Sequence, residues 1–189
     1  MSSKITIFDL APAREQGQKI AAVSCYDYTT ARLISQTDVQ MILVGDSATE
    51  LMLGFDTNLP AKMVFMETIT SAVRQGAPDV YLVADMPFLS YQVGLKEAFT
   101  NAGRFITEAG AQMVKIEASA AYLDVIEALS NAAIAVMAHI GIKPQSISKV
   151  GRFRAEATTA QMALELIALA EKMVKSGAAA LLLSFSSKI

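Results

Sequence analysis

Short runs of aliphatic and β-branched residues alternate along this chain with longer stretches in which apolar positions recur every three or four residues. The short runs are IAAVSCYD (20 to 27), VQMILVGDS (39 to 47), DVYLVADMPF (79 to 88), AQMVKIEAS (111 to 119), IAVMAHIGI (134 to 142) and AALLLSF (179 to 185). Their length and composition predict six strands. Between them, TTARLISQT (29 to 37), MVFMETITSAVRQGA (63 to 77), LKEAFTNAGRFITEAGA (95 to 111), AYLDVIEALSNAA (121 to 133) and TTAQMALELIALAEKMVKSGA (158 to 178) have the spacing of helices that cover one face of a sheet. Three helical stretches run into glycine just before the next strand, at RQGA, EAGA and KSGA, which predicts left-handed C-caps. The strand runs are apolar almost end to end, as burial on both faces of a parallel sheet requires. Repeated βα units with right-handed crossovers follow, and hence an α/β fold.

Such units close into a (β/α)8 barrel or open into a doubly wound sheet. A barrel typically needs ~250 residues, so 189 residues with six strands favour the open sheet on length alone. The length fits one domain, and a composition that is 53% hydrophobic and 18% charged excludes a disordered chain. No stretch reaches the ~18 to 20 unbroken apolar residues of a membrane span. The start, MSSKITIFDLAPAREQGQ, lacks the layout of a signal peptide, so a cytoplasmic location is expected. The single cysteine, Cys25, agrees with a reducing compartment and is expected to be a small core residue. A net charge of -2, with 16 basic and 18 acidic residues interspersed, gives no footprint for nucleic acid or an anionic membrane. The partners expected are small molecules or other protein subunits.

Polar groups gather where the strand runs end: Asp27, Asp46 with Ser47, Asp85, Lys115 with Glu117, and His139, the chain's one histidine. In parallel α/β folds these ends share one rim, where ligands bind. Carboxylates from different strands can hold a hard divalent cation through oxygen, with magnesium the natural candidate. An Asp at a strand end also commonly caps the helix that follows, and a lone histidine is as often structural as ligand-facing. Lys115, between Val114 and Ile116, needs an anionic partner, either Glu117 or a substrate carboxylate. The glycines form no dinucleotide or P-loop motif, no Cys/His cluster has zinc spacing, and no G-x-S-x-G elbow occurs. Lys149, Arg152 and Arg154 form a small basic loop, read as solvated, that could also screen an acidic cofactor tail.

The motifs SCYDY (24 to 28), ILVGDS (42 to 47), LP (59 and 60), AVRQGAP (72 to 78), LVADMPF (82 to 88), AGAQMVKIE (109 to 117) and AHIGIKPQS (138 to 146) resemble, in order and spacing, those of the ketopantoate hydroxymethyltransferase family. The resemblance implies a (β/α)8 TIM barrel of the phosphoenolpyruvate/pyruvate-binding type, of which about six of eight βα units are present. The chain, 1 to 189, is then one barrel domain lacking its C-terminal part. It further implies a magnesium ion, 5,10-methylenetetrahydrofolate as co-substrate, and a homo-oligomer. The family's reaction, a step of pantothenate biosynthesis, passes a hydroxymethyl group to 3-methyl-2-oxobutanoate and yields 2-dehydropantoate. By the same resemblance Asp46, Asp85 and Glu117 are the metal residues. Asp46, Ser47, Asp85 and Lys115 hold the 2-oxo acid, with His139 beside them.

The family's general base, a glutamate at the end of the sixth strand, aligns with Ser184. A neutral hydroxyl is a poor base at neutral pH, so activity is expected to be low unless another group stands in, with Glu156 the nearby carboxylate. Three readings follow: the family's hydroxymethyltransferase; another magnesium-dependent lyase or mutase of the same barrel superfamily; or an impaired or truncated homologue that binds a 2-oxo acid.

Overall fold

A computed structural model describes residues 4–152 and 157–184. Six parallel strands form one sheet in the order β1-β2-β3-β4-β5-β6: Ala22–Ser24, Met41–Val44, Tyr81–Asp85, Met113–Glu117, Val136–Gly141 and Ala180–Ser184. Each lies inside one of the six apolar runs. A doubly wound sheet reverses its strand order partway, whereas here every crossover advances to the next neighbour. Sequential order is the winding of a barrel, and the length argument for an open sheet is overturned by it.

The helices are α1 (Ile7–Glu15), α2 (Tyr28–Ile34), α3 (Ala48–Leu53), α4 (Met63–Gly76), α5 (Leu95–Thr107), α6 (Leu123–Asn131), α7 (Ile147–Val150) and α8 (Ala160–Lys175). The spacing of apolar residues identified α2, α4, α5, α6 and α8; α1, α3 and α7 were not foreseen. Among the described residues no helix is long and apolar enough to cross a membrane.

Because side chains alternate along a strand, the sheet sorts its apolar residues into two layers. Ile42, Val44, Leu82, Ala84, Val114, Ile116, Val136, Ala138 and Ile140 join the main core with Met66, Val73, Phe105, Ile126 and Leu129 of the covering helices. Tyr81, Val83, Met113 and Met137 form a second cluster on the other face, capped by Ile5, Ile7 and Leu10. Along that inner face β3, β4, β5 and β6 change from apolar to polar toward their carboxyl ends: Tyr81, Val83, then Asp85; Met113, then Lys115 and Glu117; Met137, then His139; Leu182, then Ser184. The inner apolar layer is thus the floor beneath the polar rim.

Arg74 fastens the opposite end. Its guanidinium donates to the carbonyls of Gly110, Ala77, Pro78 and Val80 at 2.9 to 3.0 Å and to Gln112 Oε1 at 2.7 Å. Gln112 Nε2 in turn donates to the Ile5 carbonyl at 2.8 Å. Two of the three glycine expectations hold, since Gly110 and Gly177 have φ of 74° and 96°. Gly76 differs. It is the last residue of α4, and a Cβ there would overlap the Tyr28 carbonyl oxygen, so its role is the close approach of α4 to α2.

Candidate active site

Asp85 ends β3, Lys115 and Glu117 lie in β4, His139 in β5 and Ser184 ends β6, while Asp46 and Ser47 follow β2. The parallel register sets Asp85 opposite Lys115, Glu117 opposite His139, and Gly141 opposite Ser184. Every predicted site residue therefore reaches one rim. Asp27, the other strand-end carboxylate, does not join them: it caps α2, accepting the Thr30 N–H at 2.8 Å. Cys25 is buried in the main core, as expected.

Lys115 Nζ stands 2.9 Å from Asp85 Oδ1, with both side chains almost sealed from water. The lysine's partner within the chain is thus Asp85, which was neither of the two alternatives the sequence offered, Glu117 or a substrate carboxylate, because the β3–β4 register places the two residues side by side. Burial raises the Asp85 carboxyl to about 6, with Lys115 opposing and the neighbouring Asp46 adding to the rise. Burial also works against charge on Lys115, yet the Asp85 carboxylate holds its ammonium above the ordinary value. Asp85 Oδ2 accepts the backbone N–H of Asp46 at 3.0 Å, which ties the two aspartates together.

Asp46 Oδ2 accepts two amide N–H groups, from Asn58 Nδ2 and Gln145 Nε2, each at 2.8 Å. Glu117 receives the backbone N–H of Gln145 on both oxygens, at 2.9 and 3.1 Å. Burial pushes its carboxyl up to about 8, Asp46 adding to the rise and that N–H opposing it. The Tyr91 hydroxyl accepts the Glu117 N–H at 3.1 Å. Its single proton faces the Glu117 carbonyl at 3.0 Å and Gln145 Oε1 at 3.1 Å. Tyr26 and Ser47 share a hydrogen bond of 2.9 Å between their hydroxyls. His139 Nε2 and Ser184 Oγ are 2.7 Å apart. Burial, reinforced by the charges of Lys115 and Lys143, lowers the His139 imidazole to about 3, so it is neutral at ordinary pH.

Four residues of this site were missed as site residues: Tyr26, Asn58, Tyr91 and Gln145. Tyr26 and Gln145 sit inside motifs that carry the family resemblance, but a single sequence gives a loop amide or a tyrosine no periodic signature. Beside Glu117, a cavity of about 210 Å³ is lined by Phe88, Tyr91, Tyr122, Lys143 and Gln145 among others. Lys149 also lines it and is exposed, as is Arg152; Arg154 and Glu156 lie outside the described residues.

Among the described residues no three Asp, Glu, His or Cys groups converge closely enough to cage an ion. Magnesium, however, is commonly held by one or two carboxylates, with water and substrate oxygens completing the octahedron. Asp46 and Asp85 fit that donor set: they are adjacent and buried, and Asp46 Oδ1 carries no hydrogen bond among the described residues.

The model of the ketopantoate hydroxymethyltransferase family matches residues 4–188. The chain is similar to the 3-methyl-2-oxobutanoate hydroxymethyltransferase of Bacillus cereus (strain B4264), 41% identical over 175 residues, covering 93% of this chain and 63% of that protein. The enzyme of the same name from Geotalea daltonii is 42% identical over 183 residues, 97% of this chain and 68% of that one. This chain therefore spans only about two thirds of the length of such relatives. Among solved structures it is similar to phosphonopyruvate hydrolase in complex with oxalate and Mg++, with a TM-score of 0.72, 15% identity and coverage of 98% of this chain and 65% of that one. It is also similar to 2,3-dimethylmalate lyase, a member of the PEP mutase/isocitrate lyase superfamily, with a TM-score of 0.69, 17% identity and coverage of 96% and 64%. At those identities the likeness speaks for the fold.

Proposed function

The chain belongs to the ketopantoate hydroxymethyltransferase family, and from that premise we propose that its rim binds a 2-oxo acid beside a magnesium ion. The reaction is hydroxymethyl transfer from 5,10-methylenetetrahydrofolate to 3-methyl-2-oxobutanoate, giving 2-dehydropantoate, with water supplying the hydroxyl oxygen. The observation that carries this reading is the buried Lys115–Asp85 pair tied through the Asp46 N–H to a second carboxylate. It offers one cation and two carboxylates on a single rim, as an anionic chelating substrate with a hard metal demands.

Asp46 and Asp85 are the residues that would hold the ion, with Glu117 behind them. Bound magnesium supplies Lewis acidity, lowering the cost of negative charge on the keto oxygen of a 2-oxo acid. Lys115 and Ser47 bind and orient the substrate carboxylate, Ser47 being steadied by its bond to Tyr26. The apolar floor of Val83, Met113 and Met137 excludes water from beneath the reacting carbon. A homo-oligomer belongs to the same proposal and rests on the family resemblance.

A second reading, in which the site binds substrate but deprotonates C3 slowly, is favoured by the contact of Ser184 with His139. The hydroxyl is a poor base, and an imidazole lowered to about 3 is a weak one. Calorimetry with 3-methyl-2-oxobutanoate and magnesium tests the common part of both readings. Metal-dependent binding is the expected result, and its absence removes both. Exchange of the C3 proton into deuterated water then separates them, rapid exchange supporting the transferase and none the binder.

A further inference from the structure

Asp46 holds its two carboxylate oxygens in unlike states. Oδ2 accepts Asn58 Nδ2 and Gln145 Nε2, both at 2.8 Å, whereas Oδ1 takes no hydrogen bond among the described residues. The donors are themselves fixed. Gln145 Nε2 also donates to the Met86 carbonyl at 3.0 Å, its Oε1 faces the Tyr91 hydroxyl and accepts from Gln92 Nε2 at 3.2 Å, and its backbone N–H is held by Glu117. Asn58 is 1% exposed, and its buried Oδ1 has no hydrogen-bond partner among the described residues. An orphaned buried acceptor destabilises the fold, and the bond that the amide N–H group makes to Asp46 offsets part of that cost. Asp85 is constrained in like manner, with Oδ2 on the Asp46 N–H and Oδ1 on Lys115.

We propose that Asn58 and Gln145 are positioning residues that confine Asp46 to a single ligand oxygen, Oδ1, and thereby make the site select small octahedral divalent cations over calcium. The inference rests on the metal reading given above. Calcium takes six to eight oxygens at longer distance and is frequently chelated by both oxygens of one carboxylate, while magnesium and manganese accept one oxygen from each of one or two carboxylates. With Oδ2 occupied by two N–H donors, the second mode is open and the first is closed. The outer amides thus decide which ion fits, as partners of ligating carboxylates do elsewhere.

The test uses the substrate-free protein and the metal alone. Binding of Mn2+ is followed by loss of its free electron-paramagnetic-resonance signal, with Ca2+ as competitor, in the wild type and in the near-isosteric variants Asn58→Leu and Gln145→Met. The ratio of the two dissociation constants is the quantity read, since it does not depend on the fraction of protein that is folded. Each variant is expected to bind Mn2+ about tenfold more weakly and to lose at least tenfold of its preference over Ca2+. Equal changes for both ions, or none, overturn the inference while leaving the metal site standing. A wild type that binds no Mn2+ to millimolar concentration overturns the metal site itself, and the inference with it.

Discussion

Lys115 and Asp85 are register partners across β3 and β4, and their charges meet 2.9 Å apart where neither side chain is open to water. Removing one member of such a pair strands the other charge in a poorly solvating interior. For Lys115→Met the expected loss of unfolding free energy is about 3 kcal/mol at about pH 8. Asp85 already sits near 6 with the lysine present, and without it the carboxyl climbs further. A carboxyl raised above its unfolded value contributes stability that is in full force below the unfolded value and is lost as pH rises through the folded one. The variant's deficit, measured by urea unfolding without divalent ions, should therefore shrink toward about pH 5, and Asp85→Asn in the same chain should restore most of it. A deficit of equal size at both pH values would refute the pairing.

Glu117 gives a second pH signature in a higher window. Its ordinary value of 4.5 becomes about 8 in the fold, burial outweighing the Gln145 N–H that favours the anion. Its stabilising contribution is complete below 4.5 and disappears as pH rises through about 8. The metal-free protein is expected to lose stability as pH rises from 4.5 to about 8, and Glu117→Gln to flatten that fall. Urea midpoints measured on both sides of the transition check this, and a variant with the wild-type slope would contradict it.

Arg74 is predicted to matter for folding alone. Four backbone carbonyls and the Gln112 side chain converge on its guanidinium, joining α4 to the starts of β3 and β4 and, through Gln112, to Ile5. Lysine cannot reproduce the planar fork, so Arg74→Lys leaves several partly buried acceptors unmatched and should cost about 3 kcal/mol. The readout is chemical denaturation together with calorimetric binding of 3-methyl-2-oxobutanoate below the melting transition. Stability should fall while affinity stays near wild type.

How far the chain alone discloses this architecture depends on the range of each interaction. All six strands fall within apolar runs because burial on both faces leaves a mark in consecutive residues, and five helices are visible through their repeat. The partner of Lys115 is different in kind: Asp85 lies in the preceding strand, and the register of a parallel pair is set by a whole crossover, which no local pattern records. Asn58 and Gln145 belong to loops, where a buried amide looks like any surface amide until the chain is folded. Gly76 was read as a left-handed cap from its position before a strand, yet it answers to the packing of α4 on α2. Their places at strand ends already mark Asp46, Ser47 and Glu117 as candidates for a ligand- or cation-binding rim, whereas their individual roles rest on motif resemblance.

Position 184 offers the sharpest chemical prediction. Ser184 closes β6 on the inner face, and its hydroxyl reaches His139 Nε2 at 2.7 Å, on the same rim as Asp85 and Lys115. A carboxylate at this place would be a far stronger base than the hydroxyl, and a positioned general base is worth about a hundredfold to ten-thousandfold in a proton-transfer step. Ser184→Glu is therefore expected to raise magnesium-dependent exchange of the C3 proton of 3-methyl-2-oxobutanoate by that factor, followed by loss of the C3 proton signal in deuterated water. It also places a negative charge beside His139, whose imidazole should move up from about 3, a shift visible in the histidine ring resonances even if turnover is not. Ser184→Gln supplies a side chain of similar size without the charge and should change neither quantity. If glutamate and glutamine give the same exchange rate as serine while the 2-oxo acid still binds, position 184 does not govern deprotonation in this chain.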